Sequence, residues 1–269
     1  MPDPRITIHL RTWNIAHGVD VPPDGGKHAH VRRKLLREMA ALMSEGRPDV
    51  IVLQEVPVWA GPLLREHTGM GVTLAPCYGA HIPFVHVPLP LAVGAAVGNA
   101  LPDLVRTQVE GQANALLYGP DLLLVSARRA LLNERQRLHG EPRIAQLVRL
   151  RHRRAGREFA VANVHADHGD NKHQLERAGF LLEQFARGAP MVLAGDMNAG
   201  PRSPGVRALA ARGWVEESSD VRIDHVFVRG FDIEWPATRW LPSRRDLSLN
   251  GGPPVRLSDH DPVDAVLSC

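Results

Sequence analysis

Asn14, Glu55, His165, Asp196 with Asn198, Asp224, and Asp259 with His260 share one habit of placement: each lies within or just after an apolar run. Acids, amides and imidazoles are the side chains that bind hard cations and move protons. Carboxylate and amide oxygens suit Mg²⁺, which takes one or two protein carboxylates and keeps water or substrate phosphate in its other positions. On this pattern Glu55 is the best primary ligand, with Asn14 and Asp259 as its partners. In Gly195-Asp196-Met197-Asn198 an acid and an amide stand two residues apart and can face the same way. In Ser258-Asp259-His260-Asp261 carboxylates flank an imidazole, and histidine accepts a water proton near neutral pH when a carboxylate holds its other nitrogen. Taken singly, each residue also has a plainer role: Glu55 as an ion-paired strand end, Asn14 as a turn residue, Gly195-Asp196 as a simple turn.

Position along the chain is what joins them. Arg5 to Trp13 alternates Ile6, Ile8 and Leu10 with polar residues, the pattern of a strand with one buried face, and it ends at Asn14. Val31, Leu35, Met39, Leu42 and Met43 recur at helical spacing over His28 to Glu45, and Gly46 with Pro48 supplies the stop. The β-branched run Asp49 to Leu53 then leads into Gln54 and Glu55. Further strands are expected at Ala113 to Leu117, Leu122 to Val125, Ile144 to Leu150, Phe159 to Val164, Met191 to Ala194, Ile223 to Val228 and Val263 to Leu267. Helices are expected at Lys172 to Ala186 and Pro204 to Ala211, with a short one near Leu91 to Val97. Many strands with helices interspersed, several joined too briefly for crossovers, predict mixed sheets packed by helices. Strand ends on one rim of such a scaffold can gather side chains from distant positions into one cleft.

Thr12-Trp13-Asn14-Ile15, Leu53-Gln54-Glu55-Val56, Asn163-Val164-His165, Gly195-Asp196-Met197-Asn198, Ile223-Asp224-His225-Val226 and Ser258-Asp259-His260 resemble, in order, the motifs of the endonuclease/exonuclease/phosphatase superfamily, with the deoxyribonuclease I-like fold. The resemblance spans residues 12–262, and six motifs in order are far more specific than a lone Gly-Asp-x-Asn. It implies an α/β four-layer sandwich of two mixed β-sheets flanked by helices, and metal-dependent hydrolysis of a phosphate ester in a cleft at one rim. By the same resemblance Glu55 is the magnesium ligand, and Asn14 and Asp259 are metal-site partners, directly or through water. His260 and Asp224 form a base-and-orienter couple, and Asp196 and Asn198 position the attacking water and the phosphate. His165 hydrogen-bonds a phosphoryl oxygen or serves as general acid, and Arg143 is a phosphate contact. Whether His260 or Asp196 takes the water proton stays open. The expected cofactor is Mg²⁺, with Mn²⁺ as substitute. Asn114, in Gly111-Gln112-Ala113-Asn114-Ala115, resembles the family's Gly-x-Ala strand and reads as structural. The sequence departs from the family where Ala166 follows His165 and where His225 follows Asp224.

Composition bounds the rest. At 269 residues with 44% hydrophobic and 23% charged, the chain is long enough for one large core, and a single domain over 1–269 is expected, with an apolar loop excursion at about 81–106. Scattered Gly 24 and Pro 22 exclude collagen-like, solenoid and disordered classes. The net charge is only +3 and the basic side is nearly all arginine, whose planar fork suits phosphate without selecting nucleic acid over other esters. Cys77 and Cys269 are too few for a disulfide framework, although one bridge between them stays open. The pairs His28 and His30, and His165 and His168, read as loop histidines rather than zinc ligands, while for His17 a substrate contact and a turn role both stay open. The start lacks the apolar core of a secretory signal, and prolines at 83, 88 and 90 break the 82–97 run below the ~20 residues of a spanning helix. A cytoplasmic monomer without a transmembrane segment is expected. Its partner is a phosphate-ester substrate. Nucleic acid is the first reading, making the chain a phosphodiesterase or nuclease; a phospholipid headgroup or small phosphoester, with lipid contact through 82–98, is the alternative.

Overall fold

The computed structural model describes residues 5–19, 32–78, 91–102, 111–133, 142–169, 171–218, 220, 222–248 and 254–269. The elements are β1 (Thr7–Asn14), α1 (Arg32–Ser44), β2 (Val50–Pro57), α2 (Gly61–Thr68), β3 (Gly71–Tyr78), α3 (Leu91–Ala100), β4 (Gln112–Tyr118), β5 (Leu122–Leu131), β6 (Ile144–His152), β7 (Glu158–His165), α4 (Lys172–Ala186), β8 (Met191–Asp196), α5 (Pro204–Ala211), β9 (Asp224–Arg229), β10 (Asp232–Arg239), β11 (Asp246–Ser248), β12 (Pro254–Arg256) and β13 (Val263–Ser268). Six strands form one sheet in the order β10-β13-β1-β2-β4-β3, and five form a second in the order β5-β6-β7-β8-β9. Each sheet is mixed for one reason: a helix-bearing crossover makes β1–β2 and β7–β8 parallel, while every other pair is antiparallel.

The period of two along each strand assigns its faces. In β1, Ile8 and Leu10 face the other sheet, whereas Trp13 lies with the helices. In β2, Val50 and Val52 face inward between the sheets, and Ile51 and Leu53 meet Leu35, Leu36, Met39 and Met43 of α1. The second sheet repeats the division. Phe159 and Val161 of β7, Val192 and Ala194 of β8, and Val226 and Val228 of β9 complete the inter-sheet core. Ala160, Ala162, Leu193 and Phe227 instead pack on Leu175, Ala178 and Leu182 of α4 and on Val206 and Leu209 of α5. The result is the four-layer α/β sandwich expected, helices outside and two mixed sheets within.

Followed toward one rim, the inter-sheet face changes from apolar to amide. Asn163 Nδ2 donates to Leu53 O and Ala115 O, both at 2.9 Å, and lies 3.2 Å from Gln146 Oε1. Gln54 Nε2 donates to Asn163 Oδ1 at 2.8 Å, and Asn114 Nδ2 to Asn163 O at 3.1 Å. Asn114 is therefore structural, as read. This buried layer joins the two sheets by hydrogen bonds where the apolar core stops. One residue pair further along the same face come the ionisable groups.

Several elements escaped the sequence patterns. β3 and β10 are the edge strands of the first sheet and contain Pro76 and Pro236; an edge tolerates proline because one side of its backbone needs no partner. α2 is eight residues, too short for a clear helical stripe, and ends on Gly69 in the left-handed region. The short β11–β12 hairpin was also unanticipated. α1 is described from Arg32, and 28–31 of the expected helix lie outside the described residues, as do His28, His30 and the 81–90 and 103–106 parts of the apolar excursion. Within that excursion α3 runs to Ala100 rather than Val97. No disulfide joins Cys77 to Cys269, which corrects the open expectation of a bridge between them.

Candidate active site

Register brings the polar residues level. In the second sheet His165 pairs with Asp196 across β7–β8, and Asp196 pairs with Asp224 across β8–β9, so an imidazole and two carboxylates form a row on one face. The close approach of β7 and β8 needs a glycine beside Asp196: Gly195 has φ +139°, and a Cβ there would lie 2.0 Å from Val164 O. From the first sheet comes Asn14, at the end of β1. Its Nδ2 donates to Glu55 Oε1 at 3.1 Å and to Asp196 Oδ2 at 3.0 Å, while Ala16 N–H occupies one lone pair of its Oδ1 at 3.0 Å. Glu55 reaches this point because β2 slips by a residue against β4 between Leu53 and Val56, and Glu55 itself adopts φ +54°. A bulge re-aims a side chain that regular alternation would send to the other face.

Asp196 is held at both oxygens. Oδ1 accepts the Asn198 N–H at 3.0 Å, and Asn198 Nδ2 in turn donates to Ala166 O at 2.9 Å. Oδ2, besides Asn14, lies 3.6 Å from His165 Nε2 and 3.6 Å from His260 Nε2. His260 Nδ1 is 2.9 Å from Asp224 Oδ2, so the structure brings these two residues together. The loop bearing His260 is tied to β1 at two points, Ser258 Oγ donating to Asn14 O at 2.6 Å and Trp13 Nε1 to His260 O at 2.8 Å, and is braced within itself by His260 N–H to Ser258 Oγ at 3.1 Å.

Burial and neighbours divide the charges. Burial, with the Asp224 charge beside it, raises Asp196 to about 6. Burial disfavours a charged His260, but the Asp224 hydrogen bond and charge, with Asp196, outweigh it and push His260 up to about 9. His165 is driven down to about 3 by burial and by the Arg143 guanidinium, which keeps its ring neutral. Glu55 is brought down to about 2: burial opposes ionisation, and His17, His165 and Asn14 more than compensate.

Arg143 is buried at 9% exposure. Its Nε donates to Asp167 Oδ1 at 2.7 Å, and one terminal nitrogen lies 3.2 Å from His165 Nδ1. Asp259 is the outlying residue. It is exposed, its carboxylate is 3.5 Å from Ser258 Oγ, and its charge contributes to raising His260. His168 is exposed whereas His165 is buried, so the two do not form a pair.

Three contributors carried no motif. Asp167 holds Arg143 and is itself held by Gln174 Nε2 at 2.6 Å. Asn171 Nδ2 donates to Met197 O at 2.5 Å and to Asn198 O at 3.1 Å, bracing the Asp196–Asn198 turn from α4. Glu216 accepts from the wholly buried His225, whose Nδ1 lies 3.0 Å from Glu216 Oε2 and whose Nε2 lies 2.7 Å from Ala199 O. Asp167 stood two residues after His165 and was the one with a local signal; the others act from distant elements.

The donor set fits a divalent cation. Glu55 and Asp196 present carboxylate oxygens to one amide, and among the described residues Asp224 Oδ1 is buried with no hydrogen-bond partner, a hard oxygen left uncompensated. Asp196, Asp224 and His260 also place one ligand atom each within 4.8 Å of one another.

The model of the Endonuclease/Exonuclease/phosphatase family matches residues 12–260. Among solved structures, the chain is similar to a mannosyl-6-phosphatase from Bacteroides thetaiotaomicron (TM-score 0.68, 16% identity, covering 97% of this chain and 99% of that one). It is also similar to the human Nocturnin catalytic domain with bound sulfate (TM-score 0.66, 18% identity, 98% and 96%) and to a truncated Caenorhabditis elegans TDP2 (TM-score 0.58, 14% identity, 98% of each). At these identities the likeness is one of fold. No curated protein matches the chain by sequence.

Proposed function

Because the chain belongs to the endonuclease/exonuclease/phosphatase family, we propose that it hydrolyses a phosphodiester, with nucleic acid as substrate, by metal-assisted attack of water. The observation that carries this reading is the amide bridge between the sheets: Asn14 Nδ2 contacts Glu55 and Asp196 together, and the Asp224–His260 couple faces that same Asp196 oxygen. Glu55, Asn14 and Asp259 would hold the cation, Mg²⁺ with Mn²⁺ as substitute. When bound, the cation supplies Lewis acidity and offsets charge on the phosphoryl oxygens.

The chain's own groups do the remaining work. Asp196 and His260, 3.6 Å apart, flank the attacking water; with the imidazole held protonated up to about 9, Asp196 takes the proton, and Asp224 keeps the imidazole oriented. Asn198 fixes Asp196 through its N–H. Neutral His165 donates a hydrogen bond to a phosphoryl oxygen, and Arg143, braced by Asp167, brings positive charge beside it.

A phospholipid headgroup or small phosphoester is favoured by a separate feature. α3 leaves Val93 exposed, with Leu101 just beyond it. Arg32 links this segment to the site, donating to Pro102 O at 2.8 Å and to His17 O at 2.7 Å. An apolar surface there suits an acyl chain.

One experiment separates the readings. Supercoiled plasmid, dispersed phospholipid and soluble phosphomonoesters are each incubated with Mg²⁺-loaded protein, with chelator and the His260→Ala variant alongside. Nicking lost in both controls supports the nuclease reading, and phosphate or headgroup release without nicking replaces it with the second. Turnover of none of the three by folded protein overturns both.

A further inference from the structure

His17 lies outside the six motifs, yet it makes the shortest ion-pair contact to Glu55. Its Nε2 is 2.8 Å from Glu55 Oε2, while Asn14 Nδ2 takes Oε1 at 3.1 Å and His165 Nε2 is 3.8 Å from that same Oε1. The two oxygens of Glu55 are thus assigned to different partners.

The chain invests in aiming this ring. Ala16, His17 and Gly18 have φ of +44°, +58° and +68°, three successive residues in the left-handed region although two of them carry a Cβ. The turn is secured from every side. Asn14 Oδ1 accepts the Ala16 N–H, and Arg32 Nε and its terminal nitrogen donate to His17 O at 3.2 and 2.7 Å. Gly18 sits so tightly on α1 that a Cβ would come within 2.5 Å of Leu36. Arg32, 4% exposed, is the first residue of α1, so the helix that connects β1 to β2 also clamps the turn. Among the described residues His17 Nδ1 is buried with no hydrogen-bond partner, so the ring's described polar contact is the one through Nε2 to Glu55.

Resting on the reading of Glu55 as the cation's ligand, we infer that His17 is a positioning residue for the metal site: its Nε2–H holds Oε2 of Glu55 and leaves Oε1, beside Asn14, for the cation. A histidine that orients a ligating carboxylate in this way sets the affinity of the site without touching the reaction. Partners of metal ligands of this kind are worth about 10–100-fold in affinity.

The test reads Mn²⁺ binding to the full chain, by loss of the free-ion electron paramagnetic resonance signal, for wild type, His17→Ala, His17→Gln and Glu55→Gln. The melting midpoint in chelator serves as the folding control. Binding should weaken about 10–100-fold in His17→Ala, recover partly in His17→Gln, whose side-chain N–H can still reach a carboxylate, and vanish in Glu55→Gln. Wild-type affinity in His17→Ala overturns the inference and leaves Glu55 as ligand. If His17→Ala does not fold, His17→Gln decides: a loss of affinity with a wild-type midpoint supports positioning, and a loss no smaller than that of Glu55→Gln overturns it. Undiminished binding in Glu55→Gln overturns the ligand assignment itself.

Discussion

His260 and Asp224 are useful to each other only as a pair, because the carboxylate fixes which ring nitrogen faces Asp196. The Nδ1 side is committed at 2.9 Å, which leaves Nε2 directed at Asp196 Oδ2. Residues that act as one unit do not add. His260→Ala and Asp224→Asn are therefore each expected to lower the turnover number by about 10²–10⁴-fold, with the double variant little worse than His260→Ala alone. Steady-state rates on whichever phosphoester proves to be the substrate check this, and multiplicative losses would dissolve the couple. At this scale the sequence was informative. Each of these residues was visible as a polar group closing an apolar run, whereas Asn171 and Glu216 were invisible because their partners, Met197, Asn198 and His225, come from other elements.

Elements contribute by how closely they approach and where they slip. The parallel pair β7–β8 carries His165 and Asp196 in register, and Gly195 lets the two backbones meet. Gly195→Ala forces a Cβ to 2.0 Å from Val164 O at a φ of +139°, so it is expected to cost about 3 kcal/mol and to shift the urea midpoint accordingly. A stability within a few tenths of wild type would mean that the strands part without penalty. The bulge in β2 plays the corresponding part in the other sheet. Alternation read along β2 assigns Gln54 to the inter-sheet face, and only the slip against β4 brings Glu55 to the site as well. Helix and strand positions were legible wherever a periodic face was buried. The edge strands β3 and β10 were not, since exposure on one side and an internal proline erase the alternation.

For the whole molecule, the layers are held in place by polar ties as well as by the apolar core. Arg11, 1% exposed, makes a bidentate pair with Asp264 of β13 at 2.6 and 2.7 Å and donates to Leu42 O and Met43 O at the end of α1, joining two strands to the helix layer. Burial of Asp264 opposes ionisation, but the bonds from Arg11, His9 and Trp240 hold its carboxyl well below the usual carboxylate range. A depressed carboxyl pKa means that the unfolded chain binds the proton first, so stability rises with pH. The contribution is complete above about pH 5, declines as pH falls through about 4, the unfolded value, and is gone below the folded pKa. Asp264→Asn leaves Arg11 buried without its counter-charge and is expected to cost about 3–5 kcal/mol at pH 7, a difference that narrows below about pH 4. Denaturant curves on both proteins from pH 3 to 7 check it, and a difference independent of pH would assign the loss to packing.

What the sequence determined by itself was the place of the candidate site residues at strand ends, because hydrophobic periodicity is local and an alternating run shows where it stops. The order of the motifs carried the family. What only the tertiary structure decided was which of those ends meet: that Asn14 crosses from one sheet to Asp196 in the other, that Glu55 turns on a bulge toward His17, that Arg143 is buried against His165, and that Asp259 stays exposed. Those outcomes depend on the register between strands distant in sequence and on the packing of two sheets through a buried amide layer. Such contacts are set jointly by many residues, and no single segment carries a sign of them.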